Sequence, residues 1–357
     1  MKWLVYKIFA SLLLVSVSTS CCDNKAIVLD VQPKPQVRID TVRLVFGGDL
    51  MQHIPQVRAA YKGGKYDYSA TFEYVAPLFR NADIAVLNLE TTLTTRGDYS
   101  GYPSFASPIE LADAIADIGV DIALLANNHC CDRAGRGIDT TIEQLTRRNI
   151  AHTGAFTSQE DYDANNILYF DSKGVRFAMV NYTYGTNGYP VPKGKLVNII
   201  DNERIRRDIS TINRDSVDCI IACMHWGIEY QREPNVEQKE MAQFLKSLGV
   251  DVIIGSHPHV VQTYEVTSDG VVFYSLGNLV SNQRKRYTSG GLIAEVNIVR
   301  CDTVPGLCYS ANAHPVHVIK PGYRIVPRSV GDTLKMSNDS RMLYNTFMAD
   351  TDRLLNR

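Results

Sequence analysis

Tryptophan is scarce in this chain, and so is surplus charge. Only 2 of 357 residues are Trp, and 37 Lys and Arg stand against 38 Asp and Glu, for a formal charge of −1. A chain so balanced has no bulk field with which to hold a nucleic-acid backbone, so no nucleic-acid partner is expected. Local basic runs, "RKR" at 284–286 and "RR" at 147–148, read as solvated faces. The eight cysteines lack the paired spacing of a zinc knuckle, which argues against a closed structural zinc site. There is no repeat of 20–50 residues and no low-complexity tract, so solenoid and propeller architectures drop out. Beyond the first 20 or so residues no apolar run reaches membrane-spanning length. What is present is ordinary for a globular chain with a sizeable core: 45% hydrophobic and 21% charged residues.

The opening, "MKWLVYKIFASLLLVSVSTSCC", carries Lys2 and Lys7, an apolar stretch from Ile8 to Val17, and small residues before Cys21. This pattern predicts a secretory signal over residues 1–20 with Cys21 as a lipidated anchor. Ser18 departs from the aliphatic residue such lipoprotein signals usually carry three places earlier. Residues 21–41 are polar, with Pro33 and Pro35, and read as a tether. The folded part is therefore expected outside the cytoplasm, held to a membrane by its anchor. Exported thiols can oxidise. Cys301 and Cys308, which flank "DTVPGL", are the expected pair, while Cys219 and Cys223 read as core thiols.

From residue 41 onward short apolar runs alternate with helical segments. The predicted strands are 41–48, 82–90, 120–128, 175–183, 217–227, 250–256 and 270–278. Between them, segments such as "NVEQKEMAQFLKSLG" place Met241, Phe244, Leu245 and Leu248 at helical spacing and end in glycine. Strand alternating with helix predicts an α/β fold, a layered β-sheet sandwich flanked by helices, with largely parallel pairing. One domain over 42–328 is expected, followed by a C-terminal helical segment at 329–357.

In parallel sheets, ligands gather at the carboxyl ends of the strands. The residues that close these strands are Asp49, Glu90, Asn128 with His129, His225, and His257 with His259 of "GSHPHVVQ". Each has an ordinary structural role when taken singly: a turn cap for Asp49, a helix cap for the Asn-Asn-His turn, a core histidine for His225. Their coincidence at successive strand ends has one economical explanation, which is metal binding. Histidine and carboxylate are the main protein ligands of catalytic Zn, Mn and Fe, and an amide oxygen can supplement them. One or two divalent ions are expected, with His129 placed to protonate a leaving group. His257 and His259, two apart in extended chain, would share a side, with Pro258 stiffening the turn.

This constellation resembles the calcineurin-like metallophosphoesterase superfamily. More closely, the chain resembles the poly-γ-glutamate capsule-synthesis family of the CapA type. The stretches that carry the likeness are "GGDLMQHIPQ", "LNLETTL", "LANNHCCD", "NIAHTGAF", "TYGTNGYPVP", "HWGIEYQREPNVEQ", "GSHPHVVQ" and "YSLGNLVSNQ", in that order across about residues 42–295. The resemblance implies a metallophosphoesterase-like fold and a role with an anionic polymer of a bacterial cell envelope. It also implies capsule synthase or export subunits as partners. Asp49, Glu90, Asn128, His225, His257 and His259 become the implied metal ligands and His129 the catalytic acid.

The chain departs from the pattern in three places. Phosphoesterases open with Asp-x-His, where this chain has Asp49-Leu50-Met51, and His53 is a candidate substitute. Glu90 stands where an Asp usually bridges two metals. Ala134 stands where glycine is expected. A substrate cleft is expected to include Asn187 and Lys193 of the Gly- and Pro-rich 183–195 loop, Tyr230, and Asn278. Glu229 is expected either to orient an imidazole or to lie on the surface. Three functional classes follow: a metal-dependent hydrolase or transferase on poly-γ-glutamate or a similar polymer, a phosphoesterase on a phosphorylated envelope substrate, and a non-catalytic assembly or export subunit.

Overall fold

A computed structural model describes residues 39–301 and 304–356. The expected signal segment, the Cys21 anchor and most of the tether lie outside these residues. Strand β1 (Ile39–Leu50) already begins inside the expected tether. It is followed by β2 (Ile84–Leu89), β3 (Ile122–Leu124) and β4 (Ala151–Thr153), paired in parallel in that order. A second sheet takes β5 (Leu168–Ser172), β6 (Val175–Thr183), β7 (Cys219–His225), β8 (Val252–Ser256), β9 (Tyr264–Thr267) and β10 (Gly270–Phe273). Its order is β5-β6-β7-β8-β10-β9. The chain then returns to the first sheet with β11 (Asn278–Val280), β12 (Gly290–Cys301), β13 (Val304–Ile319) and β14 (Arg324–Pro327).

Pairing is parallel through the core of both sheets, as expected from the alternation, but β12, β13 and β14 add to β1 as an antiparallel meander. The first sheet is therefore mixed. Only a few residues of sequence separate these last strands, too few for the helix a parallel crossover needs.

Side-chain alternation explains the layers. Val42, Leu44 and Phe46 of β1 point to one face and meet Phe177 and Met179 of β6, Ile221 and Cys223 of β7, and Ile254 of β8. Val45, Ala85 and Leu87 point to the other face, against helices α1 (Glu110–Asp117) and α2 (Ala134–Thr146). On the far side, Ala178, Val180 and Ala222 of the second sheet pack on α3 (Asn202–Ser210) and α4 (Val236–Ser247). The result is helix, sheet, sheet, helix, with apolar strands covered on both faces. Helix α4 starts at a capping box in which Asn235 and Gln238 satisfy each other's backbone N–H groups. Helix α5 (Asn338–Leu355) closes the open end of the middle core with Tyr344, Phe347 and Met348.

Cys219 and Cys223 are buried free thiols in that core. The expected Cys301–Cys308 pair does not form. The β12–β13 register sets Cys308 opposite Val299 and Cys301 opposite Val304, and Cys308 is free.

Candidate metal centre

The parallel strands of both sheets aim their carboxyl ends at one edge, and there the buried polar residues collect. Asp49 sits within the end of β1, Glu90 directly after β2, Asn128 and His129 after β3, His225 at the end of β7, and His257 and His259 after β8. All seven are buried. Register fixes their neighbours. Asp49 pairs across β1 and β2 with Asn88, whose Nδ2 donates to Asp49 Oδ1 at 2.8 Å. His225 pairs across β7 and β8 with Ser256, whose Oγ lies 3.0 Å from His225 Nδ1.

One imidazole spans both carboxylates. His259 Nδ1 lies 3.0 Å from Asp49 Oδ2, and its Nε2 lies 3.8 Å from Glu90 Oε1. Asp49, Glu90 and His259 together offer ligand atoms within 4.8 Å of one another. Glu90 Oε1 also lies 3.8 Å from His225 Nε2, which in turn sits 2.9 Å from Asn128 Oδ1. Glu90 thus stands between a His259 side and a His225–Asn128 side. The His257 ring lies 4.8 Å from that of His225 and 5.9 Å from that of His259, and is backed by Tyr184 at 4.4 Å.

The two histidines of the turn do not converge through extended chain. His257 has φ 96° and His259 φ 57°, so a left-handed turn about Pro258 brings them together. Positive φ on two L residues is strain that the surrounding bonds must hold. Tyr230 helps by donating its backbone N–H to Pro258 O at 2.8 Å.

Burial sets the electrostatics. It pushes Glu90 well above the usual carboxyl range, and nearby Asp49 adds to the effect. Burial likewise holds His225 well below the ordinary imidazole value and His257 down to about 3. Two buried acids packed against three imidazoles offer the mixed oxygen and nitrogen donor set of a divalent cation. Glu90 Oε1 and His257 Nδ1 are buried without a hydrogen-bond partner, and neutral imidazole is the form that ligates metal. These residues fit a divalent ion.

His129 lies beside this cluster. Its Nδ1 is 2.7 Å from Asp132 Oδ2 and its Nε2 is 3.5 Å from Asn187 Nδ2, while Phe105 packs edge-on at 4.6 Å. Asn187 Oδ1 accepts from Asn128 at 3.1 Å and from the Tyr184 hydroxyl at 3.3 Å, which brings the 183–195 loop over the site. Asn278 is buried and donates to His259 O, Gln283 Oε1 and Thr288 O, bracing the turn from behind.

Other expected residues do not join the cluster itself. Lys193 is exposed and contacts none of the cluster residues among the described residues, because the loop is anchored by Lys195 on Asp139 instead. Glu229 is exposed and bonds the Tyr230 hydroxyl rather than an imidazole; Ser256 holds His225 in its place. The Tyr230 ring lies 6.3 Å from that of His259. His53 does not replace the missing histidine. It caps a short helix (Ile54–Ala60), with Nδ1 receiving the Asn282 N–H at 3.3 Å, and Met51 is core. Ala134 has φ 50°, the left-handed backbone for which glycine is usually chosen.

Asp132, Asn88, Asn127 and Ser256 have supporting roles that the sequence pattern does not assign. Asp132 had a signal, because His129 and Asp132 stand three apart in "HCCD". The others act through bonds between distant strands: Asn127 Nδ2, for example, donates to Asn88 Oδ1 at 3.2 Å.

The family model described as bacterial capsule synthesis protein PGA_cap matches residues 43–283. The chain belongs to this capsule-synthesis family. Two curated relatives carry the same association. The capsule biosynthesis protein CapA of Bacillus anthracis is 26% identical over 85% of this chain and 77% of its own length. The PGA biosynthesis protein CapA of Bacillus subtilis is 27% identical over 74% and 70%. Among solved structures, a Staphylococcus aureus protein described as a 5′-nucleotidase superposes with a TM-score of 0.51 at 14% identity. It covers 87% of this chain, which spans 58% of that protein. That likeness shows the fold alone: this capsule-synthesis protein has the layered α/β fold of that 5′-nucleotidase.

Proposed function

We propose that the protein is a metal-dependent enzyme, anchored through Cys21 outside the cytoplasm. In this reading it acts in the synthesis, transfer or hydrolysis of poly-γ-glutamate or a related anionic envelope polymer. The observation that carries this reading is Glu90 Oε1, buried without a hydrogen-bond partner between His225 and His259. The names of the Bacillus relatives, for capsule and PGA biosynthesis, supply the polymer.

Asp49, Glu90 and His259 would hold one divalent ion (Mn, Fe or Zn), with Asn128, His225 and His257 available for a second. Such an ion supplies Lewis acidity toward a substrate oxygen. The chain's own residues supply the rest. His129, protonated, gives up its proton from Nε2 to the leaving group, and Asp132 steadies the imidazolium through Nδ1. Asn187 and Tyr184 set the position of the chain that enters beside His129.

The first test is elemental mass spectrometry on the purified protein. About one to two equivalents of metal are expected, with the second ion lost in His225→Ala and His257→Ala and the first lost in His259→Ala. Turnover is then assayed with a γ-linked glutamate chain and with an aryl phosphate, each against His129→Ala. Aryl phosphate turnover that needs His129, with the glutamate chain untouched, would make the protein a phosphoesterase. Absence of metal after reconstitution of folded protein would overturn the enzyme reading and favour a polymer-handling subunit that works with a capsule synthase or exporter.

A further inference from the structure

Arg284, Lys285 and Arg286 of the "QRKRY" segment, residues 283–287, are exposed, as expected of a solvated face. The segment forms one wall of a cleft of about 360 Å³, whose other walls are the end of β13 and helix α5. Arg284, Lys285, Arg286 and Lys320 line this cleft against a single carboxylate, Asp350. Asp350 is already taken: Arg286 grips it through two bonds of 3.1 and 3.0 Å. Lys320 is half-buried, and its ammonium donates to the Gln283 carbonyl at 2.9 Å. Neither Lys320 nor Arg284 has a carboxylate within ion-pair distance among the described residues. Behind them His317 is buried, and its Nδ1 has no partner. A half-buried ammonium without a counter-ion is costly, and an incoming anion would relieve that cost.

The cleft adjoins the metal centre. Asn278 Nδ2 reaches both His259 O, at 3.3 Å, and Gln283 Oε1, at 2.9 Å. Lys285 Nζ sits 3.6 Å above the Tyr230 ring, which in turn faces His259. A chain leaving the His259 side of the centre therefore meets Lys285 and then the Arg284–Lys320 pair.

We propose that this cleft is a second, anion-binding subsite that holds carboxylates of the polymer chain extending from the metal centre. It rests on the polymer reading given above. The subsite makes the protein a reader of several charges in succession, so affinity should rise with chain length and fall with salt.

The test is binding of a defined γ-linked glutamate oligomer to the purified full-length protein in detergent, followed by titration calorimetry at two salt concentrations. The double variant Arg284→Ala, Lys320→Met keeps the lysine stem and alters one exposed residue, and circular dichroism and metal content check that it is intact. About tenfold weaker binding with a flatter salt dependence is expected. Arg284→Glu should weaken binding further. Binding equal to the parent in both variants overturns the subsite and leaves the metal-centre reading standing. Failure of the parent itself to bind the oligomer overturns the polymer reading and the subsite with it.

Discussion

His129 donates from Nδ1 to Asp132 at 2.7 Å, and the same carboxylate oxygen accepts the Phe105 N–H at 2.6 Å. A fixed oxygen leaves His129 one tautomer and one orientation, with Nε2 on the side of Asn187. Asp132 is thus a positioning residue. Asp132→Asn should lower kcat about 100-fold with KM nearly unchanged. Metal content should stay at the parent level, and Asp132→Glu should restore part of the loss. A fall in metal content equal to the fall in rate would instead make the residue a structural support of the centre.

Glu90 lies where a negative charge is useful only beside a cation. Its carboxyl is fully buried and neighbours Asp49. In the metal-free protein Glu90→Gln should raise stability by about 1–3 kcal/mol, since it removes an uncompensated buried acid. The same variant should lose its metal. Urea titrations with and without chelator separate the two effects, and equal destabilisation in both would contradict the cation role.

Much of this was legible beforehand because strand ends are a property of pattern. The alternation of apolar runs placed Asp49, Glu90, His225 and the HPH turn at one edge without any knowledge of contacts. What stayed hidden depends on pairing between strands far apart in sequence. Ser256 reaches His225 only because β7 and β8 align them, and Asn88 reaches Asp49 only through the β1–β2 register. Lys193 lies away from the cluster because charge in a loop near a motif says nothing of where the loop is tied, while Glu229 takes the surface position that is one of its two expected places. The Cys301–Cys308 expectation failed on strand register, since pairing sets Cys308 opposite Val299 and Cys301 opposite Val304.

Acid should weaken the metal-free protein through its buried histidines. Burial lowers His53 and His317 to about 4 and His257 to about 3, against an ordinary value of 6.5. Because the folded values are depressed, the unfolded chain binds more protons between about pH 6.5 and about pH 4. The stability they contribute is present above that window and is lost as pH falls through it. Glu90, shifted upward, opposes this trend. His317→Leu isolates one member: its loss of stability from about pH 7 to about pH 4.5 should be smaller than the parent's by about 2–3 kcal/mol. Urea midpoints at the two pH values read this directly, and parallel curves for parent and variant would show that His317 titrates normally.

The approach of β11 to β1 sets the position of Asp49, and a glycine permits it. A Cβ on Gly48 would stand 2.1 Å from the Gly277 carbonyl oxygen, which is the acceptor of the Asp49 N–H at 2.9 Å. Backbone cannot yield there without parting Asp49 from Asn278, its neighbour in register. Gly48→Ala should therefore cost about 2–4 kcal/mol and release the metal before the sheet unfolds. Gly185, with open space around its Cα and an ordinary backbone, is the matched control; Gly185→Ala should be neutral or slightly stabilising. Metal content measured along a urea titration distinguishes the outcomes. If Gly48→Ala lowers the midpoint yet keeps its metal until global unfolding, the strand contact supports the fold without setting the ligand geometry.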